Sequence, residues 1–188
     1  NYRFLNALSD NNVYLLDKEG KNIAEWGPKK FDKEISFPPE HIKIGGKDHF
    51  IVLLVDGTVQ LFSRKGERVS VFQIKNKELF SGDFYIESGM TTSETYLNYV
   101  SSEGVITKQN LKGEILSSNN LLRGRNSKFI LKRLINRDGY FIYRVDTDKI
   151  VVFDKKEQLV FEKQNNGSTN IYFQALSMGG DKLIFATL

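Results

Sequence analysis

The chain of 188 residues has no cysteine, one tryptophan, two histidines, two methionines and three prolines. Without thiols, structural disulfides, thiolate nucleophiles, Cys-ligated zinc and iron–sulfur clusters are excluded. The two histidines, His41 and His49, flank the Gly45-Gly46 pair with only Asp48 close in sequence. That is too small a donor set for a metal centre, so neither a metal nor a cofactor is expected. No run approaches the roughly 20 apolar residues that a membrane span needs, and membrane insertion is not expected. Helical spacing of apolar residues is missing as well, which argues against an α/β fold. There is no Gly-x-Ser-x-Gly nucleophile elbow. The glycine pairs Gly45-Gly46 and Gly179-Gly180 lack the strand and helix context of a phosphate loop and read as turns.

What the chain does have is β-forming residues: 14 Phe, 8 Tyr and many Val, Ile and Thr, within a 40% hydrophobic and 27% charged composition. The formal net charge of +4 and pI near 9.1 are spread along the chain and first of all serve solubility. The chain begins at Asn1 with no basic-then-apolar leader, so a segment upstream is expected. The compartment is left open, with an extracytoplasmic one favoured.

An internal repeat organises the sequence. Asp10–Gly20, Asp56–Gly66, Glu103–Gly113 and Thr147–Glu157 share one layout: a turn, an alternating strand, and a turn residue seven positions after the anchor. The anchors Val13, Val59, Ile106 and Ile150 are separated by 46, 47 and 44 residues, a period of about 45. Each anchor strand is preceded by a β-rich run (Phe4–Leu8, Phe50–Val55, Tyr96–Val100, Tyr140–Val145) and followed by a shorter one (Asn22–Trp26, Arg68–Gln73, Glu114–Ser117, Gln158–Glu162). A fourth strand fits each connection: Glu34–Phe37 or His41–Ile44, then Asp83–Ser88, Lys128–Leu134 and Asn170–Ala175. Asp, Asn and Gly between successive runs predict tight antiparallel hairpins. Glu157 replaces glycine at the last turn, which predicts a looser turn there.

Four antiparallel strands per repeat define an all-β fold, a β-propeller of four-stranded blades. The predicted units are 1–27, 28–76, 77–122, 123–165 and a partial blade at 166–188. The chain opens and closes on the same element of the repeat, so it is expected to be part of a larger propeller. Open blade faces would then promote self-association.

The segment Asn12–Trp26 carries Val13, Leu15, Asp17, Gly20 and Trp26, and in this it resembles the repeat of the PQQ-like, quinoprotein-type β-propellers, whose strand-closing Trp docks between neighbouring blades. The period also matches WD40-like repeats, although their Gly-His and Trp-Asp pairs are missing. The other three units lose the Trp, and the Asp becomes Ser63 or Gln109 before returning as Asp154. This degenerate pattern is similar to that of the non-enzymatic scaffold members of the superfamily.

Chemistry-bearing residues are sparse. Acids recur at the hairpin tips, at Asp10, Asp56, Glu103 and Asp146, where turn formation accounts for them. The densest charge feature is Arg123, Arg125, Lys128, Lys132, Arg133 and Arg137, with no acid from Ser117 to Arg137. Such a patch suits an acidic protein segment or an anionic glycan. The aromatics lie at strand-core positions instead of alternating with basic residues on an open face, which argues against nucleic acid. The expected function is a non-catalytic scaffold or binding module for a protein or glycan partner. The alternative is an enzyme or sensor domain with a ligand site in an axial funnel completed by other blades.

Overall fold

In a computed structural model of the chain, described at residues 4–7, 10–75, 80–124, 126–134, 138–165, 173–177 and 183–187, every regular element is a β-strand. The order is β1 (Phe4–Ala7), β2 (Asn12–Leu16), β3 (Lys29–Lys30), β4 (Glu40–Ile44), β5 (Lys47–Leu53), β6 (Thr58–Ser63), β7 (Arg68–Gln73), β8 (Phe80–Glu87) and β9 (Tyr96–Ser101). It continues with β10 (Val105–Asn110), β11 (Ile115–Asn120), β12 (Lys128–Arg133), β13 (Tyr140–Val145), β14 (Lys149–Phe153), β15 (Leu159–Gln164), β16 (Phe173–Ser177) and β17 (Leu183–Thr187). Strands pair only with their sequence neighbours, giving sheets β1–β3, β4–β7, β8–β11, β12–β15 and β16–β17. Each sheet is a short meander, the blade architecture expected from the repeat.

The repeat extends to individual hydrogen bonds. The turn after β2, β6, β10 and β14 is closed by the N–H of Gly20, Gly66, Gly113 and Glu157, donated to the carbonyls of Asp17, Ser63, Asn110 and Asp154. Those four residues also accept, through their side chains, from the backbone N–H groups two and four residues on, at 2.8–3.3 Å. A side-chain acceptor of this kind holds a turn without help from the rest of the fold. The equivalent in the third unit is Asn110, not Gln109. Gln109 is one methylene longer and bonds instead to the carbonyls of Gln73 and Gly113 at 3.0 and 2.9 Å. Nor is the fourth turn looser: Glu157 takes φ 64°, beside 77°, 80° and 93° at Gly20, Gly66 and Gly113. The Asp154 carboxylate imposes the left-handed geometry at a residue that prefers to avoid it.

A second repeated bond closes the outer edge of each unit. Phe31, Ile74, Leu121 and Asn165 donate to the carbonyls of Asn11, Gly57, Gly104 and Asp148. The spans are 20, 17, 17 and 17 residues, so the first unit holds three extra residues, and they fall between Gly20 and Phe31. There the expected strand Asn22–Trp26 gives way to a turn: Ile23 bonds back to Leu15, Trp26 and Gly27 both donate to Ile23, and pairing resumes only at β3. The fourth strand of the second unit is β4 at Glu40–Ile44, with Ile35 making an isolated bridge to Leu54.

The residues divide into two units, 1–77 with 86–96 and 109–114, and 78–85 with 97–108 and 115–188. In the first, Trp26 is 2% exposed and packs edge-on against Phe50 and Phe62, with ring centroids 5.0 and 5.6 Å away. Val13, Leu15, Phe31, Val52 and Leu54 complete that core. In the second, β13 is buried along its whole length. Its Tyr140 and Ile142 join Val100, Ile106, Leu121, Phe129 and Leu131, and its Phe141, Tyr143 and Val145 pack with Ile150 and Val152. A middle strand apolar on both faces is what sheet stacking requires. β11 and β15, at the sheet edges, are exposed throughout.

Candidate binding surfaces

The basic segment does not form one patch among the described residues. On β12, Lys128, Ile130 and Lys132 alternate with Phe129, Leu131 and Arg133, so the cations fall on opposite faces of the strand. Arg133 lies 3.4 Å from Asp83 and 5.9 Å from the Phe84 ring. Arg123 is ion-paired with Glu103. Arg125 and Arg137 lie outside the described residues.

The structure adds a buried assembly under loop 121–127, which joins β11 to β12. Arg144 and Asp146, 8% and 0% exposed, form an ion pair with nitrogen–oxygen distances of 3.0 Å. The third guanidinium nitrogen of Arg144, Nη1, donates to the Leu122 carbonyl at 2.6 Å. Ser127 Oγ donates to Asp146 and accepts from the Gly124 N–H, both at 2.6 Å. Gly124 approaches so closely that a Cβ there would sit 2.4 Å from an Asp146 carboxylate oxygen. Asp146 is therefore no surface acid of a hairpin tip. A buried ion pair is sustained only when its remaining hydrogen-bonding capacity is met, and here the loop backbone meets it. The result is a loop fixed from beneath that holds Leu122 out at 83% exposure. The signal available in the sequence was Arg144 inside the apolar run Tyr140–Val145, which demands a buried partner.

Of the other hairpin-tip acids, Asp10 and Asp56 behave as turn formers and Glu103 pairs with Arg123. Asp10 and Asp56 accept from the backbone of Asn12 and Thr58, at 3.1 and 3.0 Å. The Asn12 side chain is the foremost cause holding the Asp10 carboxyl below its usual range.

A second surface lies at one end of the β4–β7 sheet, where the β4–β5 and β6–β7 turns stand side by side. Gly46, Lys47, Asp48, His49, Ser63, Arg64, Lys65 and Glu67 line a cleft of about 550 Å³. His49 is directly opposite Ser63 in the ladder, and its Nδ1 donates to the Lys47 carbonyl at 3.0 Å. Nε2 of His41 is 2.9 Å from Asp48 Oδ1. This bond above all, then the charges of His41, Lys43 and Arg64, keeps the Asp48 carboxyl below the usual carboxylate range. Among the described residues no group of three or more His, Cys, Asp or Glu is arranged to hold a metal.

No family model matches the chain, and no curated protein matches it. Solved structures do. BBS1N in complex with ARL6DN is 11% identical with a TM-score of 0.57, over 98% of this chain and 58% of that one. The dihydro-heme d1 dehydrogenase NirN, in complex with DHE, is 13% identical with a TM-score of 0.57, over 88% of this chain and 36% of that one. BamB from Moraxella catarrhalis is 14% identical with a TM-score of 0.54, over 96% and 50%. The chain thus spans between 36% and 58% of these neighbours. The likeness shows the fold: a β-propeller built of meander blades, with PQQ-like propellers among its neighbours, as the repeat implied.

Proposed function

We propose that the chain is a non-catalytic binding module that holds a protein partner at loop 121–127, with Leu122 and Arg123 as the contacts. The observation that carries this reading is the nearly fully exposed Leu122 on a backbone anchored by the buried Arg144–Asp146 pair. Single exposed leucines are common, but one held on a fixed loop offers a contact whose ordering entropy is already spent. Arg123 beside it adds a cation of the type enriched at the centres of protein interfaces. The neighbour BBS1N was solved in a complex with ARL6DN, so a propeller of this kind supports partner binding elsewhere.

The test places a photo-crosslinking amino acid at position 122 and, as a control, at Lys18 in the exposed turn after β2, in the native host. The reading predicts a protein adduct of defined mass from position 122 alone, weakened by Arg123→Glu with unchanged thermal unfolding. The same adducts from both positions, or none from position 122, would overturn it.

A further inference from the structure

The cleft at the turn end of the β4–β7 sheet has a charge arrangement that neither the turns nor the core explain. Arg64 and Lys65 stand on the β6–β7 turn and Lys47 is the first residue of β5, and all three are exposed. Among the described residues none of the three has an ion-pair partner. The acids of the cleft are otherwise engaged: Asp48 with His41, and Glu67 with the Ser63 hydroxyl at 3.4 Å. Three unpaired cations at one concavity repel one another, and an incoming oxyanion relieves that repulsion through charge-assisted hydrogen bonds. Arg64 offers a planar fork for two oxygens, and the two lysines add mobile point charges.

The cleft is larger than an oxyanion alone requires, since about 550 Å³ falls within the range of small-molecule sites. Beside the cations its lining carries acceptors: the carboxylates of Asp48 and Glu67 and the hydroxyl of Ser63. Ionised carboxylates repel an anionic ligand body and accept hydrogen bonds from hydroxyl groups. A ligand satisfying both halves carries a doubly charged oxyanion at one end and hydroxyls at the other. We infer that this cleft binds a small phosphorylated sugar or polyol, its phosphate on Lys47, Arg64 and Lys65 and its hydroxyls toward Asp48 and Glu67. This site is independent of the partner loop proposed above and stands or falls without it.

The experiment is a titration of the whole chain followed by backbone amide chemical shifts, with glucose 6-phosphate, glucose and inorganic phosphate as probes. Glucose 6-phosphate should give saturable shifts confined to the 44–49 and 63–67 turns, glucose none, and inorganic phosphate weaker binding than the ester. Arg64→Gln and Lys65→Gln should each weaken binding of the ester about tenfold, the loss of one charge-assisted contact. Both replace exposed turn side chains, and an unchanged thermal midpoint shows that the fold persists. Lys47→Gln is the second, separate probe, from the start of β5. The inference is overturned if the ester causes no saturable shift in those turns, if inorganic phosphate binds equally well, or if the three variants bind like the parent.

Discussion

The first and fourth repeats solve one problem in opposite ways. Each must anchor an irregular segment against a neighbouring sheet. The first does it with apolar surface: three extra residues bend the chain so that Trp26 enters the core between Phe50 and Phe62, its Nε1 donating to the Val13 carbonyl at 3.4 Å. The fourth does it with charge, through Arg144 and Asp146, which tie down Leu122, Gly124 and Ser127. The difference lies in what each anchor permits. Burial of an indole is non-directional and fills space, whereas an ion pair inside the protein specifies which backbone groups it will hold.

That contrast can be broken from either side. The largest expected effect is that of Trp26→Ala, which opens a cavity among rings and should cost about 4 kcal/mol in chemical denaturation. Asp146→Ala leaves Arg144 buried without its partner and should cost about 3 kcal/mol. The double change Arg144→Met with Asp146→Leu should recover most of that stability while freeing the loop, which separates anchoring from stability in one comparison. At the next level, Glu157→Gly relieves a left-handed backbone and should raise stability by about 1 kcal/mol, visible as a higher thermal midpoint. A loss of stability would mean that the exposed Asn119–Glu157 bond at 3.0 Å outweighs the backbone term.

The smallest effect concerns pH. The folded-state pKa of Asp48 is depressed, chiefly by the His41 hydrogen bond, so its contribution to stability is present above the unfolded value and is lost as pH falls through the folded one. His41→Ala should therefore lower stability at neutral pH by no more than about 0.5 kcal/mol after solvent screening. Parent and variant should converge in denaturant midpoints as the medium becomes acidic enough to protonate Asp48. A gap that widens toward acid would contradict the assignment.

Much of the fold was legible because sheet stacking demands middle strands that are apolar on both faces and the turns impose residue types. Arg68–Gln73 coincides with β7, and Tyr140–Val145 with β13. What was missed follows from the same physics. The residue of the third repeat equivalent to Asp17 was assigned to Gln109, whereas Asn110, four positions after the anchor Ile106, is the one that accepts from its own turn. Trp26 was read as the end of a strand because a motif records residue types and not the three-residue insertion that turns it inward. In the basic segment, strand alternation divides Lys128 and Lys132 from Arg133. Asp146 resembled the other tip acids, and its burial became visible only with Arg144 alongside it.

The central claim is that a buried ion pair fixes Leu122, Gly124 and Ser127 as a presenting surface. Native-state amide hydrogen exchange at Leu121 and Gly124 tests it most directly, comparing the parent with Ser127→Ala, which removes the hydroxyl between Gly124 and Asp146. The account predicts that Gly124 loses its protection while Gly20 and Gly66, in the turns of the first two repeats, keep theirs. Equal exchange at Gly124 in both proteins would show that the loop is held by something other than this pair.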